Sequence, residues 1–401
     1  MKRALSILMV LSIVFAFTAC SKGPETNDPT SEPSGPSTVT VPETTRSPED
    51  TTPVNPSGTP STEDFQFPDD LPSLKVGAVG VYTGNELYIQ WKKNLLSLED
   101  DFNVTFQFVE NTGTEDNTNA VETLCTAGVD GIIMQGCSES VLQITERYGV
   151  PIVVYCMTFT DEEMEVFSKY DTFLGVVTED DNISAVNAAD SIYDAGCRNV
   201  AVAGITRGLA KIMDDRADSF IDRFTELGGN IISEDYTMLG FSDSIANFAA
   251  AYPDMDGIFS VILNESVFQA FTTEGLMGTA KLAGFDMSDS CDEFFANETL
   301  VFTCTGQSAT IVTAFAPLYN YMYDGTYLIP DRSKMVIRNF VDIHNSQEAA
   351  DYDKYVRFST CYTPEEIGYM IKGFNPDYTF EDYQAMHMAF SIEDVIKRSG
   401  N

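Results

Sequence analysis

Short runs of β-branched and apolar residues recur from Lys75 onward, each followed by a Gly, Asn, Asp or Ser residue and then by an amphipathic stretch. A strand that ends where a helix can begin is the pattern of a βαβ unit. The pattern predicts two consecutive series of five strands, at residues 76–81, 104–109, 131–134, 152–155 and 173–177, then 199–203, 230–234, 257–261, 281–284 and 301–303. Because these strands are apolar almost throughout, we expect parallel sheets that are covered on both faces.

The part of the chain that carries this pattern spans about 330 residues, which exceeds what one hydrophobic core usually serves. We therefore expect two α/β lobes, with a ligand site where loops leave the carboxyl ends of the strands. The formal net charge of −38 excludes a nucleic-acid binder, because the chain would repel phosphates.

The first residues predict export. Met1-Lys2-Arg3 precedes an apolar run from residue 4 to 17, which is typical of a signal peptide. The run leads into Phe17-Thr18-Ala19-Cys20, which resembles the bacterial lipobox although Phe17 stands where Leu is usual. Cys20 is then the lipidation site, and the lipid is the only expected link to the membrane; the alternative is simple secretion with Cys20 as an ordinary residue.

A segment from Ser21 to about Pro68 is dominated by Pro, Ser, Thr, Gly and acidic residues. It has too few apolar side chains to offset the entropy of ordering, so it is predicted to be a disordered tether. The seven cysteines after Cys20 form no CxxC motif and show no zinc-ligand spacing, and we expect them to be buried apolar residues.

Several strings resemble motifs of one family, in the same order and with similar spacing: 79–88 (VGVYTGNELY), 127–133 (AGVDGII), 148–153 (YGVPIV), 179–182 (EDDN), 215–220 (DRADSF), 252–259 (YPDMDGIF) and 282–286 (LAGFD). They are similar to the ribose-type, or type 1, periplasmic binding proteins of ABC sugar importers, and together they cover about residues 74–342.

The resemblance implies two Rossmann-like lobes of doubly wound parallel sheets, joined by a three-strand hinge, that close on a small polar solute. It divides the chain into a signal peptide (1–19), a tether (20–70), an N-terminal lobe (71–179 plus 307–330), a C-terminal lobe (180–306 plus 331–345) and a partly helical C-terminal extension (346–401). It implies a monomer without cofactor or metal, which presents its closed form to a membrane permease or sensor.

The resemblance also implies ligand contacts at Asn85, Leu87, Tyr88, Cys156, Met157, Arg216, Phe241, Asn264, Asp286 and Gln307. Three of these side chains have a structural alternative. Asn85 and Asp286 each precede a predicted helix and fit an N-cap, and Arg216 fits an ion pair within Asp214-Asp215-Arg216. Trp91 is expected to pack in the core.

One departure bears on the ligand. Sugar-binding members carry an Asp-Arg pair after the fourth strand, and this chain has Cys156-Met157 there. A charged pair that grips ring hydroxyls is therefore missing, so a less hydroxylated ligand becomes an alternative: a modified sugar, a nucleoside or a signalling molecule.

Three functions follow in order of preference. The first is the solute-binding component of an ABC importer for a carbohydrate, and the second is a receptor domain for a membrane sensor kinase. An enzyme is third, because the chain has no GxSxG, HExxH or phosphate-loop motif and only two histidines, His344 and His387.

Overall fold

The computed structural model describes residues 65–80, 86–110, 114–238 and 240–399, apart from the side chains of residues 114–116. The first lobe alternates strands and helices: β1 (Leu74–Gly80), α1 (Glu86–Leu96), α2 (Glu99–Phe102), β2 (Val104–Glu110), α3 (Thr114–Ala127), β3 (Gly131–Met134), α4 (Glu139–Tyr148), β4 (Ile152–Tyr155), α5 (Asp161–Phe167) and β5 (Phe173–Glu179). Its strands pair in parallel in the order β5-β4-β3-β1-β2.

The second lobe repeats the pattern: α6 (Asp181–Asp194), β6 (Asn199–Ile205), α7 (Lys211–Glu226), β7 (Asn230–Thr237), α8 (Phe241–Ala251), β8 (Gly257–Ser260), α9 (Glu265–Thr273), β9 (Lys281–Phe285), α10 (Ser290–Ala296) and β10 (Leu300–Thr305). The strands pair in parallel in the order β10-β9-β8-β6-β7. The chain then returns through a 3₁₀ turn (Gln307–Ala309) and α11 (Thr310–Asp324), which packs on β3, β4 and β5 of the first lobe.

Local sequence explains where several helices begin. Ser138 caps α4 by accepting a hydrogen bond from the Val141 amide, and Gly149 ends that helix in the left-handed conformation. Thr160 forms a capping box with Glu163 at the start of α5. All residues of β3, β4 and β5 are buried, as expected for strands with a helix layer on each face.

Two short strands complete the sheets. Strand β11 (Val336–Arg338) pairs in parallel with β5 in the first lobe, and β12 (Val341–Ile343) pairs antiparallel with β10 in the second. The chain thus crosses between the lobes three times, and the predicted fold class is confirmed. The boundary predicted at residue 331 is wrong for β11, because a three-residue strand carries too little pattern to show which sheet it joins.

One buried polar network joins the three crossings. The hydroxyl of Thr310, on the second crossing, donates to Glu179 at the end of the first. Arg338, at the end of β11, donates from Nη1 to Thr310 Oγ1 at 3.2 Å and to the Gly306 carbonyl at 3.0 Å. Burial raises the pKa of Glu179, and the Thr310 hydrogen bond and the Arg338 charge oppose that shift.

The C-terminal extension contains α12 (Ser346–Tyr352), a π-helical turn (Asp353–Arg357), α13 (Pro364–Tyr369), α14 (Phe380–Ala389) and α15 (Ile392–Arg398). It packs on both lobes, with α13 against α2 and α11 and with α12 against α10. The centre of the Phe390 ring lies 3.4 Å from the guanidinium carbon of Arg338. The extension therefore also covers the hinge network.

Gly306 shows how closely the extension approaches the hinge. Its φ is +108°, a conformation that favours glycine, and a Cβ atom built there would lie 3.0 Å from the Phe390 ring. The Tyr383 hydroxyl donates to the Thr313 carbonyl at 2.7 Å on the same side. The extension therefore belongs to the folded core of the protein.

Six of the seven described cysteines are buried, as predicted, and Cys137 is partly buried. Cys20 lies outside the described residues. In the described part of the chain, no helix has both the length and the apolar character needed to cross a bilayer.

His387 is a buried histidine on α14 of the extension. The side chain is fully buried, its Nδ1 donates to the Tyr383 carbonyl at 2.7 Å, and its Nε2 has no partner in the described structure. Burial lowers the pKa of His387 to about 3, with the nearby Arg338 charge adding to the shift. The folded state thus binds fewer protons than the unfolded state below pH 6.5.

We therefore expect the free energy of unfolding to fall as the pH is lowered from 6.5 towards 3, with a contribution of up to about 1.4 kcal/mol per pH unit from this residue. His387→Asn should remove that part of the slope in urea titrations. The matched control is His344→Asn, which removes the other histidine of the chain from an exposed position, so that the loss of a buried imidazole is compared with the loss of an exposed one. If the free energy of unfolding of His387→Asn changes with pH as steeply as that of wild type, His387 is not the group responsible.

Candidate functional site

The carboxyl ends of the two parallel sheets lie where the chain crosses between the lobes. The chain leaves β5 at its carboxyl end and enters the second lobe, and it leaves β10 at its carboxyl end and enters the first. Loops that follow strands in both lobes therefore meet between the lobes, next to the hinge. The predicted ligand residues follow strands β1, β4, β7, β8, β9 and β10 or lie on α7.

Arg216 lies on α7 and is held inside the second lobe. Its Nε donates to Asp181 at 2.7 Å, its Nη1 donates to the Val261 carbonyl at 2.9 Å, and its guanidinium stacks 4.0 Å from the centre of the Phe285 ring. Burial raises the pKa of Asp181, although the Arg216 charge opposes the shift. The ion pair is formed with Asp181 and not within the Asp214-Asp215-Arg216 run.

Asp286 and Gln307 are brought together at the hinge. Gln307 Nε2 donates to Asp286 Oδ1 at 2.7 Å, and the Trp91 indole donates to the Gln307 carbonyl at 3.0 Å. Trp91 is buried, as predicted. Within the described residues Asp286 Oδ2 accepts no hydrogen bond, so that oxygen is available to a ligand hydroxyl. The N-cap position of α10 is taken by Asp289.

Two residues that follow strands have left-handed backbone without being glycine. Cys156, after β4, has φ of +50°, and Asp286, after β9, has φ of +76°. Such conformations are uncommon outside glycine, and they concentrate at binding and catalytic sites. One such residue from each lobe thus stands at the carboxyl edge of its sheet.

The predicted ligand residues of the first lobe differ in burial. Cys156 is buried, and its thiol donates to Glu179 at 3.4 Å, so it belongs to the hinge network. Burial raises the pKa of this thiol, which keeps it protonated. Met157, Leu87 and Tyr88 are partly exposed.

Tyr88 packs against Trp91 with the two rings tilted by 32° and 5.3 Å between their centres. Asn85 lies outside the described residues.

Phe241 and Asn264 have structural partners. Phe241 is the first residue of α8 and is buried in the second-lobe core. Asn264 caps α9, since its Oδ1 accepts from the amides of Ser266 and Val267. The Asn264 Nδ2 atom donates no hydrogen bond within the described residues.

A cavity of about 290 Å³ lies beside the hinge, between α6, the third crossing and the extension. Its walls include Asp180, Phe340, Asp342 and Phe390. None of the predicted ligand residues lines it. Among the described residues, no three His, Cys, Asp or Glu side chains are close enough to hold a metal ion.

The residues that connect the two lobes to the extension are not among those that the sequence predicts. Arg357, in the π-helical turn, bonds Glu86 of α1 and Asp289 next to α10. Arg338 and Thr310 complete the hinge network. The available signal was Arg338 itself, a cation that ends the apolar run Val336-Ile337.

No family model matches the sequence, and no curated protein matches it. The structure is similar to that of an ABC transporter periplasmic solute-binding protein from Actinobacillus succinogenes with bound D-allose, with a TM-score of 0.59, 16% identity and coverage of 70% of this chain and 100% of the other. The chain has the type 1 periplasmic binding protein fold.

Two other solved proteins show the same similarity. A carbohydrate transporter from Acidothermus cellulolyticus, in complex with myo-inositol, has a TM-score of 0.55 and 16% identity, with coverage of 72% of this chain and 99% of the other. A periplasmic ribose ABC transporter from Conexibacter woesei has a TM-score of 0.59 and 14% identity, with coverage of 71% and 95%. The unmatched share of this chain is close in size to residues 1–70 and 346–401 together.

The buried Asp181–Arg216 pair predicts that Arg216 is needed for stability. We expect Arg216→Met to lower the free energy of unfolding by about 3–5 kcal/mol, because it leaves Asp181 buried without its partner. The double variant Asp181→Asn, Arg216→Met should lose less free energy of unfolding than Arg216→Met alone. The measurement is urea denaturation followed by circular dichroism.

The matched control is Arg223→Met on the same helix. Arg223 pairs with Asp190 and Glu226 at the surface, so its loss should change the urea midpoint little. Equal destabilisation by Arg216→Met and Arg223→Met would show that the buried pair does not have this role.

Proposed function

We propose that the chain is an extracytoplasmic solute-binding protein that captures a small sugar between its two lobes and delivers it to an ABC importer. The observation that carries the proposal is the fold, which matches almost the full length of solved solute-binding proteins. Those proteins bind D-allose or myo-inositol, or are described as a ribose transporter. Binding and release by lobe closure require no catalysis.

The second lobe supplies the polar chemistry for such a ligand. Among the described residues, Asp286 Oδ2 accepts no hydrogen bond and Asn264 Nδ2 donates none, and both atoms lie at the carboxyl edge of the same sheet. A vicinal diol offers matching donors and acceptors. Gln307 and Arg216 are fixed by other protein groups, which reduces the entropy lost when the ligand binds.

The described first-lobe residues supply less polarity. Leu87 and Met157 are partly exposed apolar side chains, and the Cys156 thiol is bonded to Glu179 and not directed at a ligand. We therefore favour a sugar with one less hydroxylated face, such as a deoxy or methylated sugar, within the general sugar class.

Anchoring is part of the same proposal. Cleavage before Cys20 and diacylation of its sulfur would hold the binding lobes outside the cell membrane, at the end of the Pro- and Ser-rich tether. Mass spectrometry of the membrane fraction should detect a diacylated Cys20 peptide in the wild-type protein and none in Cys20→Ala.

A thermal-shift screen tests the ligand class. The chain from Ser21 onward is mixed with monosaccharides, deoxy and methylated sugars, nucleosides and amino acids. A ligand present at about 100 times its dissociation constant stabilises the folded state by about 2.7 kcal/mol and raises the melting temperature. We expect a shift with a sugar and a much smaller shift with Asp286→Asn, which keeps the shape of the side chain but removes its charge.

Asp292→Asn is the matched control, because Asp292 is an exposed acid of α10 that makes no hydrogen bond or ion pair within the described structure. It should keep the wild-type shift. A shift with a nucleoside or an amino acid alone would contradict the sugar class, and an undiminished sugar shift in Asp286→Asn would remove Asp286 from the site.

A further inference from the structure

Arg357 is a single side chain that contacts both lobes. Its guanidinium donates to Glu86 of α1 through Nε at 3.1 Å and Nη2 at 2.6 Å, and the same Nη2 donates to Asp289 at 2.6 Å. Its Nη1 donates to Asp353 at 3.2 Å. Glu86 begins the first helix of the first lobe, and Asp289 precedes α10 of the second.

These contacts flank the candidate ligand site. Glu86 is followed directly by Leu87 and, one residue later, by Tyr88, and Asp289 lies three residues after Asp286. The distance between Glu86 and Asp289 therefore changes when the lobes open. An arginine that bonds both carboxylates at once requires α1 and α10 to be close.

The extension fixes Arg357 to the first lobe. The Gln90 side chain donates to the Arg357 carbonyl, and Lys93 Nζ lies 3.5 Å from the Phe358 carbonyl. The Arg357 side chain is only 9% exposed. Both Gln90 and Lys93 belong to α1, so the π-helical turn is held on the face of that helix which also carries Glu86.

Of the two contacts that Arg357 makes with the lobes, the one with Asp289 of the second lobe is the weaker. The Asp289 side chain is 90% exposed, and Arg357 is its partner among the described residues. Separation of the lobes would break the Arg357–Asp289 bond before the Arg357–Glu86 bond, because Glu86 binds through two atoms of the guanidinium and α1 also holds the π-helical turn through Gln90.

We propose that Arg357 is a positioning residue for ligand binding, which holds the second lobe through Asp289 in the closed arrangement and slows release of the ligand. The inference rests on the proposed sugar-binding function. A contact that exists only in the closed state shifts the open-closed equilibrium towards closure, and ligand affinity rises with the fraction of the protein that is closed.

The test compares Asp289→Asn with Asp292→Asn, two charge-neutralising changes at exposed acids close together in the chain. Stopped-flow fluorescence from Trp91 measures association and dissociation rate constants for the sugar identified by the screen. An exposed ion pair predicts a dissociation rate constant about two- to fivefold higher in Asp289→Asn, with little change in the association rate constant.

Asp289→Glu should restore the wild-type dissociation rate constant, since it keeps the charge within reach of Arg357. The difference between wild type and Asp289→Asn should shrink in 1 M salt, where exposed charges are screened. A dissociation rate constant that is equal in wild type, Asp289→Asn and Asp292→Asn at low salt would overturn the proposal.

A ligand-free measurement separates failure of this inference from failure of the proposed function. Small-angle X-ray scattering of the unliganded protein should give a larger radius of gyration for Asp289→Asn than for wild type and Asp292→Asn. If the screen finds no ligand, this comparison alone decides the inference: expansion supports Arg357 as an interlobe contact, and identical scattering curves refute it.

Discussion

The arrangement of the lobes depends on a buried charge pair that is bridged by one hydroxyl. Glu179 and Arg338 end two neighbouring strands, β5 and β11, and Thr310 bonds both from the start of α11. These residues stand on the three different crossings between the lobes. Removing one member of this chain of hydrogen bonds leaves a buried polar group without its partner, typically at a loss of about 1–3 kcal/mol. The crossings are thus held together as one unit.

The extension depends on that unit. Phe390 lies on the Arg338 guanidinium, and Gly306 leaves the space that the Phe390 ring occupies. Earlier in the same extension, Arg357 and Phe358 contact Gln90 and Lys93 of α1. The extension is therefore docked at two places. Phe390 contacts the hinge network at the crossings, and Arg357 contacts Glu86 and Asp289 of the two lobes.

Sequence patterns were sufficient for the fold and insufficient for the contacts between segments distant in the chain. The strands 131–134 and 152–155 are found at the predicted residues, because an apolar run between turn residues is a local signal. Strand β11 was assigned to the wrong lobe, since its neighbour β5 lies more than 150 residues earlier. Arg216 shows the same limit at the site: the sequence offered Asp214 and Asp215 as partners, and the fold supplies Asp181.

The position after β4 connects these observations to ligand recognition. In sugar-binding relatives the resemblance places a charged pair there, and here the Cys156 thiol is directed to Glu179, inside the hinge. A first lobe that offers fewer polar groups holds a ligand less tightly in the open state. Under the proposed function, closure provides more of the affinity, and a contact between the lobes that lies outside the ligand, such as Arg357 with Asp289, supplies part of it without requiring any particular ligand hydroxyl. The uncharged residues after β4 and the docked extension are in this sense complementary.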